Sequence, residues 1–285
     1  DASALPETIQ IGDKTFRATP VQLRYGLAPG TAARLYRQGG FFGASVTNAV
    51  LIQKGKGPSY TNEEDWDTGL NLMLDLEERF PGQKFVAVMK HANPFGVARA
   101  DSLIKAYDLV WNVDPIIPFG GTLALNDVVN RELAERIAKT FVDGIIAKDF
   151  DEDARSVLAN KKDLRLLALP DIYEHDHGEH GWEIKSVRGG ILLAERYVSQ
   201  TVTRDDILVR SEHQPSPEML DAALLQWCVL GYVRSNAAVF GDDKVTYGVD
   251  HAADQLLHLV DHVTGKVLDQ FNQGVQGVFE QLGDG

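Results

Sequence analysis

Cysteine is nearly missing from this sequence. Cys228 stands alone among 285 residues, so no disulfide can close within the chain, and a reducing cytoplasm is the expected setting. Long apolar runs are missing too. No stretch approaches the roughly 20 consecutive apolar residues of a membrane-spanning helix, so no membrane partner is expected. Positive charge is scarce: 28 Lys and Arg stand against 41 Asp and Glu, a net charge of −13. That balance argues against nucleic acid as a partner, because phosphate backbones demand a surplus of cations. It leaves room for a small anionic ligand, which a few local cations can hold. The first residue is Asp1 rather than Met, as in a processed or trimmed product, and no basic start followed by an apolar run marks a secretory signal. Familiar nucleotide and hydrolase signatures are also wanting. Gly55-Lys56-Gly57 lacks the spacing and the Lys-Ser/Thr end of a Walker A loop, and no Gly-x-Gly-x-x-Gly, zinc-protease or nucleophile-elbow motif occurs.

What is present is the balance of a globular protein, 44% hydrophobic and 24% charged, with length for one large domain or two ordinary ones. Short β-like runs alternate with helical stretches, which predicts an α/β fold. Phe85-Val86-Ala87-Val88-Met89 reads as a buried strand. Thr61 and Glu64 have capping-box spacing and predict a helix from 61 to about 80. Further helices are expected from near Asp101, over 130–140 and over 151–159, the last capped by Asp151. Buried strands are expected at 122–125, 144–147 and 164–169. Residues 170–187 read as a surface loop or hairpin, with order resuming at Val187. Ser216-Pro217-Glu218 is a helix start, with the cap followed by Pro at the first helical position. A strand follows at 237–240, and the tail over about 252–273 is again helical in pattern.

Several segments carry residues suited to chemistry. Lys90-His91-Ala92-Asn93-Pro94-Phe95-Gly96 follows directly on a buried strand, so a cation, an imidazole and an amide leave one strand end before a Pro-Gly turn. His moves protons near neutral pH, and a neighbouring Lys can neutralise charge on a reacting oxygen. A capped strand end with an exposed Lys and a packed His is the structural alternative. In Pro115 to Gly121 the paired glycines would let backbone approach a flat ligand, or simply make a turn. Leu23-Arg24-Tyr25-Gly26 offers an Arg for bidentate phosphate contact, and Ser235-Asn236 an amide for a carbonyl or oxyanion. His175, His177 and His180 sit in an acidic stretch with metal-compatible spacing but without a nearby Cys, and no functional metal is expected.

Taken in order, these segments resemble the aminoimidazole carboxamide ribonucleotide (AICAR) transformylase family. Leu23-Arg24-Tyr25-Gly26 comes first. Gly55-Lys56 and Ser59-Tyr60-Thr61-Asn62 follow, and then Lys90-His91-x-Asn93-Pro94-x-Gly96. After them stand Asp114-Pro115, Phe119-Gly120-Gly121, Asp143-Gly144-Ile145-Ile146-Ala147, Gly189-Gly190 and Ser235-Asn236. The resemblance covers roughly residues 20–240. It implies two packed cytidine-deaminase-like lobes of mixed sheet flanked by helices, divided here as 1–170 and 171–285. It also implies a homodimer with shared sites and formyl transfer from 10-formyltetrahydrofolate to the 5-amino group of AICAR. Carried over residue by residue, Lys90, His91 and Asn236 are catalytic. Arg24, Tyr25, Asn62, Gly120 and Asp143 meet the nucleotide, and Phe119 meets the folate.

The sequence departs from the family pattern at several places. Phe95 replaces a Cys, and Leu27-Ala28-Pro29-Gly30 replaces an Asn-Pro-His-Gln run. Asp250 to Gln255 matches the glycine-rich run after the Asn236 strand poorly, and the family's late phosphate-binding Arg has no counterpart. The cyclohydrolase domain that usually precedes this one is not in the sequence, so ring closure to inosine monophosphate is not expected of it. An AICAR-binding relative that has lost folate chemistry is the alternative, as is another one-carbon donor acting on a similar aminoimidazole.

Overall fold

The computed structural model describes residues 5–113, 119–169, 181–195, 202–210, 212, 214–234 and 237–250. Strands β1 (Thr8–Ile11), β2 (Lys14–Gln22) and β3 (Arg34–Gln38) form a small antiparallel sheet at the start of the chain. The chain then enters a six-stranded mixed sheet through β4 (Val50–Gln53) and crosses its face with helix α1 (Tyr60–Arg79). It continues as β5 (Lys84–Lys90), β6 (Asn93–Ala100), α2 (Leu103–Val113), β7 (Thr122–Leu125), β8 (Val128–Val129), α3 (Arg131–Ala138) and β9 (Gly144–Ala147). After these come β10 (Asp149–Phe150), α4 (Glu152–Leu158) and β11 (Arg165–Ala168). The sheet order is β4-β11-β9-β7-β5-β6, while β8 and β10 form a short parallel pair beside it. β7, β9 and β11 are parallel, as their helical crossovers α3 and α4 require, and β4, β5 and β6 run against their neighbours.

Alternation along the strands divides the apolar residues into two layers. Val86, Val88, Leu123, Leu125, Ile145, Ala147, Leu166 and Ala168 meet α2, α3 and α4. Phe85, Ala87, Met89, Ala124, Ile146 and Leu167 meet α1 on the other face. Both faces are covered, which is why β5, β7, β9 and β11 read as unbroken apolar runs rather than as alternating ones. Glycine sets the spacing on the α1 face. A Cβ on Gly69 would stand 2.8 Å from the Ala124 methyl, and one on Gly144 would stand 2.9 Å from the Trp66 ring.

The expected α/β architecture of mixed sheet and flanking helices is therefore present. The helices expected from near Asp101, over 130–140 and over 151–159 are found within two residues of those bounds, and Asn130 and Asp151 cap α3 and α4. The start of α1 differs. Ser59, not Thr61, is the N-cap, and its hydroxyl accepts the Asn62 N–H while the Asn62 side chain accepts the Ser59 N–H at 3.0 Å. Asn62 plays the part expected of Glu64, because the capping box is set two residues earlier, directly after Pro58. The turn after β5 also differs. Pro94 and Gly96 lie in edge strand β6, where a bulge opposite Val88 and Met89 absorbs the extra Phe95, and the reversal is made by His91-Ala92 alone.

In the later chain, β12 (Trp182–Val187) and β13 (Gly190–Glu195) form an exposed hairpin, so the hairpin reading of 170–187 holds for its last residues. Residues 170–180, including His175, His177 and His180, lie outside the described residues, as does the expected tail helix over 252–273. Helix α5 (Pro217–Leu230), capped by Ser216, delivers Leu225, Cys228 and Val229 into the layer that seats α1. Strands β14 (Ala238–Gly241) and β15 (Thr246–Asp250) pair as a hairpin, and the loop between them docks on the free edge of β6. There Ala98 bridges Val245, and the Arg99 N–H donates to the Lys244 carbonyl at 2.7 Å. Among the described residues no helix is long and apolar enough to cross a membrane.

Candidate active site

The sheet register brings the end of β5 beside the starts of β7, β9 and β11. Met89 pairs with Thr122, Thr122 with Gly144, and Gly144 with Arg165. The N-terminus of α1 opens at the same edge. Residues scattered from 24 to 165 in sequence thus meet around one rim.

Lys90 and His91 sit where β5 turns into β6. Lys90 pairs with Asn93, leaving a two-residue hairpin loop in which His91 and Ala92 both have φ of 55°. Such left-handed pairs match the strand twist but ordinarily carry Asn or Gly. For residues with a Cβ the conformation costs about 1–3 kcal/mol each, so the surroundings must hold it. Two contacts do. The Asn93 side-chain amide donates to the His91 carbonyl at 2.9 Å, and the Ala92 N–H donates to the Asp65 carboxylate at 2.7 Å. His91 is exposed, and the half-buried Lys90 ammonium donates to the Phe119 carbonyl at 3.4 Å.

The 119–121 loop lies across from this turn. Gly120 adopts φ of 73°, and its N–H donates to the Phe141 carbonyl at 2.9 Å. The Phe119 and Phe141 rings lie 4.7 Å apart, both largely exposed, as an apolar surface beside Lys90. Asp143 follows, its N–H donating to the Gly121 carbonyl. Arg165, 2% exposed, spans the floor. It donates to the Gly57 carbonyl at 2.8 Å and to the Asp143 carbonyl at 2.9 Å, with the Asp143 carboxylate 3.7 Å away. Burial lowers the Arg165 pKa, and the Asp143 charge opposes that shift.

Arg24 and Tyr25 reach the rim because they are pinned to the entrance of α1. The Arg24 N–H donates to Pro58 and the Tyr60 N–H to Tyr25, at 2.8 and 3.1 Å. The exposed Arg24 guanidinium lies 4.9 Å over the Tyr25 ring and donates to its hydroxyl at 3.2 Å. Asn62 is nearby, but its carbonyl oxygen is committed to Ser59, so only its NH2 is left to meet a ligand. Eight of the nine residues singled out in the sequence, Arg24, Tyr25, Asn62, Lys90, His91, Phe119, Gly120 and Asp143, therefore share this rim. Asn236 lies outside the described residues. Two residues before it, the Arg234 N–H donates to the Asn93 side chain at 3.3 Å, beside the Lys90-His91 turn.

Sequence reasoning missed Asp65 and Arg165. Asp65 is hidden in the acidic run Glu63-Glu64-Asp65-Trp66-Asp67, which reads as a solvated helix face, yet it is 5% exposed. Burial pushes its carboxyl up to about 6, against the Ala92 hydrogen bond and the His91 charge, which favour the anion. Glu64 is also raised by burial, with the Arg234 charge opposing. A lone Arg opening the apolar Leu164–Leu169 run was the available signal for Arg165. Trp66 Nε1 and Thr122 Oγ1, both buried against this edge, have no hydrogen-bond partner among the described residues. A separate open cavity of about 810 Å³ lies at the other end of β5 and β6. Its Arg99 is taken up by the Phe80 ring and by Asp221 and Asp243, and none of the rim residues lines it. Among the described residues no group of three or more His, Cys, Asp or Glu is arranged to hold a metal ion.

Comparison with known proteins points the same way as the motifs. The chain is 34% identical over 273 residues to the bifunctional purine biosynthesis protein PurH of Caldicellulosiruptor saccharolyticus, covering 93% of the chain and 51% of the relative. It is 35% identical over 266 residues to the protein of the same name from Limosilactobacillus reuteri, covering 92% and 50%. With that of Acidithiobacillus ferrooxidans the identity is 35% over 247 residues, covering 87% and 44%. The chain thus spans about half the length of the curated relatives it matches. The family model of the AICARFT/IMPCHase bienzyme matches residues 4–253, and the chain belongs to that family.

Proposed function

We propose that this chain transfers a formyl group from 10-formyltetrahydrofolate to the 5-amino group of AICAR, a step of purine biosynthesis. The observation that carries the reading is the Lys90-His91 turn, held in a left-handed conformation on the same rim as Arg24-Tyr25 and Phe119-Gly120. The AICAR amine is conjugated with its ring and carboxamide and is a poor nucleophile. His91 accepts a proton from it, directly or through the carboxamide, as its nitrogen bonds to the formyl carbon. The carbonyl electron pair moves onto oxygen, where the Lys90 ammonium and the Asn236 amide stabilise it. One such donor is worth about 3 kcal/mol of barrier. Collapse of the tetrahedral centre breaks the bond to folate N10, which leaves with a proton.

Arg24 and Tyr25 suit the nucleotide phosphate, Asp143 the ribose, and Gly120 and the Asn62 amide the nucleotide face. The exposed Phe119 ring suits the folate. The same reading has two cytidine-deaminase-like lobes, 1–170 and 171–285, a homodimer with shared sites, a cytoplasmic location, and no metal in the chemistry. The cyclohydrolase activity implied by the word bifunctional in the relatives' name is not assigned to this segment.

A second reading, a nucleotide-binding relative without folate chemistry, is favoured by Phe95 in place of Cys and by the divergent run from Asp250. Calorimetric titration with AICAR and with a folate analogue, together with a formyl-transfer assay, separates the two. Formyl transfer is expected in the wild type and is expected to fall about a hundredfold or more in His91→Ala with AICAR binding kept. AICAR binding without folate binding supports the second reading, and binding of neither overturns both.

A further inference from the structure

We propose that Asp65 is the positioning residue of the Lys90-His91 turn: its buried carboxylate accepts the Ala92 N–H and so fixes the two left-handed residues from which the His91 imidazole projects. The catalytic side of this inference rests on the formyl-transfer reading, whereas its structural side does not. A two-residue loop of His and Ala has no intrinsic preference for positive φ, and neither residue carries a side-chain amide to stabilise it locally. Asn93 at the end of the loop supplies one contact, and the other must come from outside the hairpin. Asp65 supplies it from the second turn of α1, 2.7 Å from the Ala92 nitrogen and 5% exposed.

Its place on the helix explains why it stays. The capping box at Ser59 and Asn62 anchors the first turn, and the neighbouring Trp66, fully buried, seats on Gly144. The backbone that carries Asp65 is therefore fixed against the turn. The ionisable groups facing it are Lys90 and His91 on the turn, Asp143 ahead of β9, and Glu64 on its own helix. An ammonium and an imidazole thus lie on the turn side and two acids elsewhere. A buried anion between an ammonium and an imidazole fixes their spacing as well as the backbone, and the imidazolium formed when His91 takes a proton faces a ready countercharge.

Two variants separate the hydrogen bond from the charge. Asp65→Asn keeps an acceptor oxygen opposite Ala92 and removes the charge, whereas Asp65→Ala removes both. Native-state hydrogen exchange at the Ala92 amide is read first, because it does not depend on any substrate. Exchange is expected to quicken about tenfold or more in Asp65→Ala and to return near wild type in Asp65→Asn. Steady-state kinetics should show kcat reduced about tenfold or more in Asp65→Ala, with KM for AICAR changed less than about twofold. Asp65→Asn should recover part of kcat and lose whatever pH dependence Asp65 contributes near pH 6. In a His91→Ala background, which removes the neighbouring imidazole, the Ala92 amide proton shift should titrate near pH 6, and adding Asp65→Asn should abolish that step; this comparison decides the matter if Asp65→Ala fails to fold. Unchanged Ala92 exchange in Asp65→Ala, an amide-shift step in His91→Ala that Asp65→Asn leaves in place, or a kcat loss that Asp65→Asn does not relieve overturns the proposal. Absence of formyl transfer in the wild type overturns the functional reading alone and leaves the exchange result to judge the turn.

Discussion

Glu63 offers a stability prediction whose sign and size follow from its surroundings. It lies on α1 between Asn62 and Asp65, both of which meet the site. Its side chain instead lines a small cavity of about 100 Å³ with Thr19, Val21, Arg37, Leu51 and Leu167. Burial, with a smaller contribution from the Asp67 charge, pushes its carboxyl from an ordinary 4.5 up to about 8. At about 1.4 kcal/mol per tenfold change in proton affinity, the ionised form costs the fold roughly 3–5 kcal/mol. Because the folded value is raised, the stability lent by the neutral acid is complete below 4.5 and is lost as pH rises through about 8. Glu63→Gln is neutral at every pH and should escape that loss. Unfolding by urea, followed by tryptophan fluorescence, should show the two proteins nearly equal near pH 5. Near pH 9 the Gln variant should be more stable by roughly 2–4 kcal/mol. A gap that is the same at both pH values, or a variant less stable near pH 9, refutes the reasoning.

Gly144→Ala would place a methyl 2.9 Å from the Trp66 ring, in a layer where Trp66 has no room to retreat. A loss of about 1–3 kcal/mol is expected, read as a lowered denaturation midpoint, and an unchanged midpoint counts against the packing account. Arg165→Met keeps most of the side-chain volume but strips the donors from the Gly57 and Asp143 carbonyls. It should cost about 2–4 kcal/mol of stability and weaken AICAR binding, and calorimetry showing wild-type affinity would detach Arg165 from the site.

The elements that could be read in advance were those with local signals. Asn130, Asp151 and Ser216 cap helices where their residue types said they would, and the apolar runs at 144–147 and 164–169 are central strands. The cap of α1 lies two residues earlier than expected because tertiary contacts of Arg24 with Pro58 and of Tyr25 with Tyr60 fix the helix entrance at Ser59. The reversal at His91-Ala92 was illegible for a related reason. Pro94 and Gly96 advertise a turn, whereas nothing in the tripeptide around Ala92 reveals that Asp65, 27 positions earlier, will stabilise a left-handed loop there. Of the rim, the residues with a motif were found. Asp65 and Arg165 were not, because burial reverses the meaning of a charged residue and burial is a property of the folded chain.

The single thiol of this protein is Cys228, packed without solvent contact between α5 and α1 and pushed by burial up to about 12. Such a group is inert to electrophiles while the helices stay together. Its consumption by iodoacetamide in native buffer therefore times how often α5 lifts from α1, and makes the chain a built-in clock for its own opening.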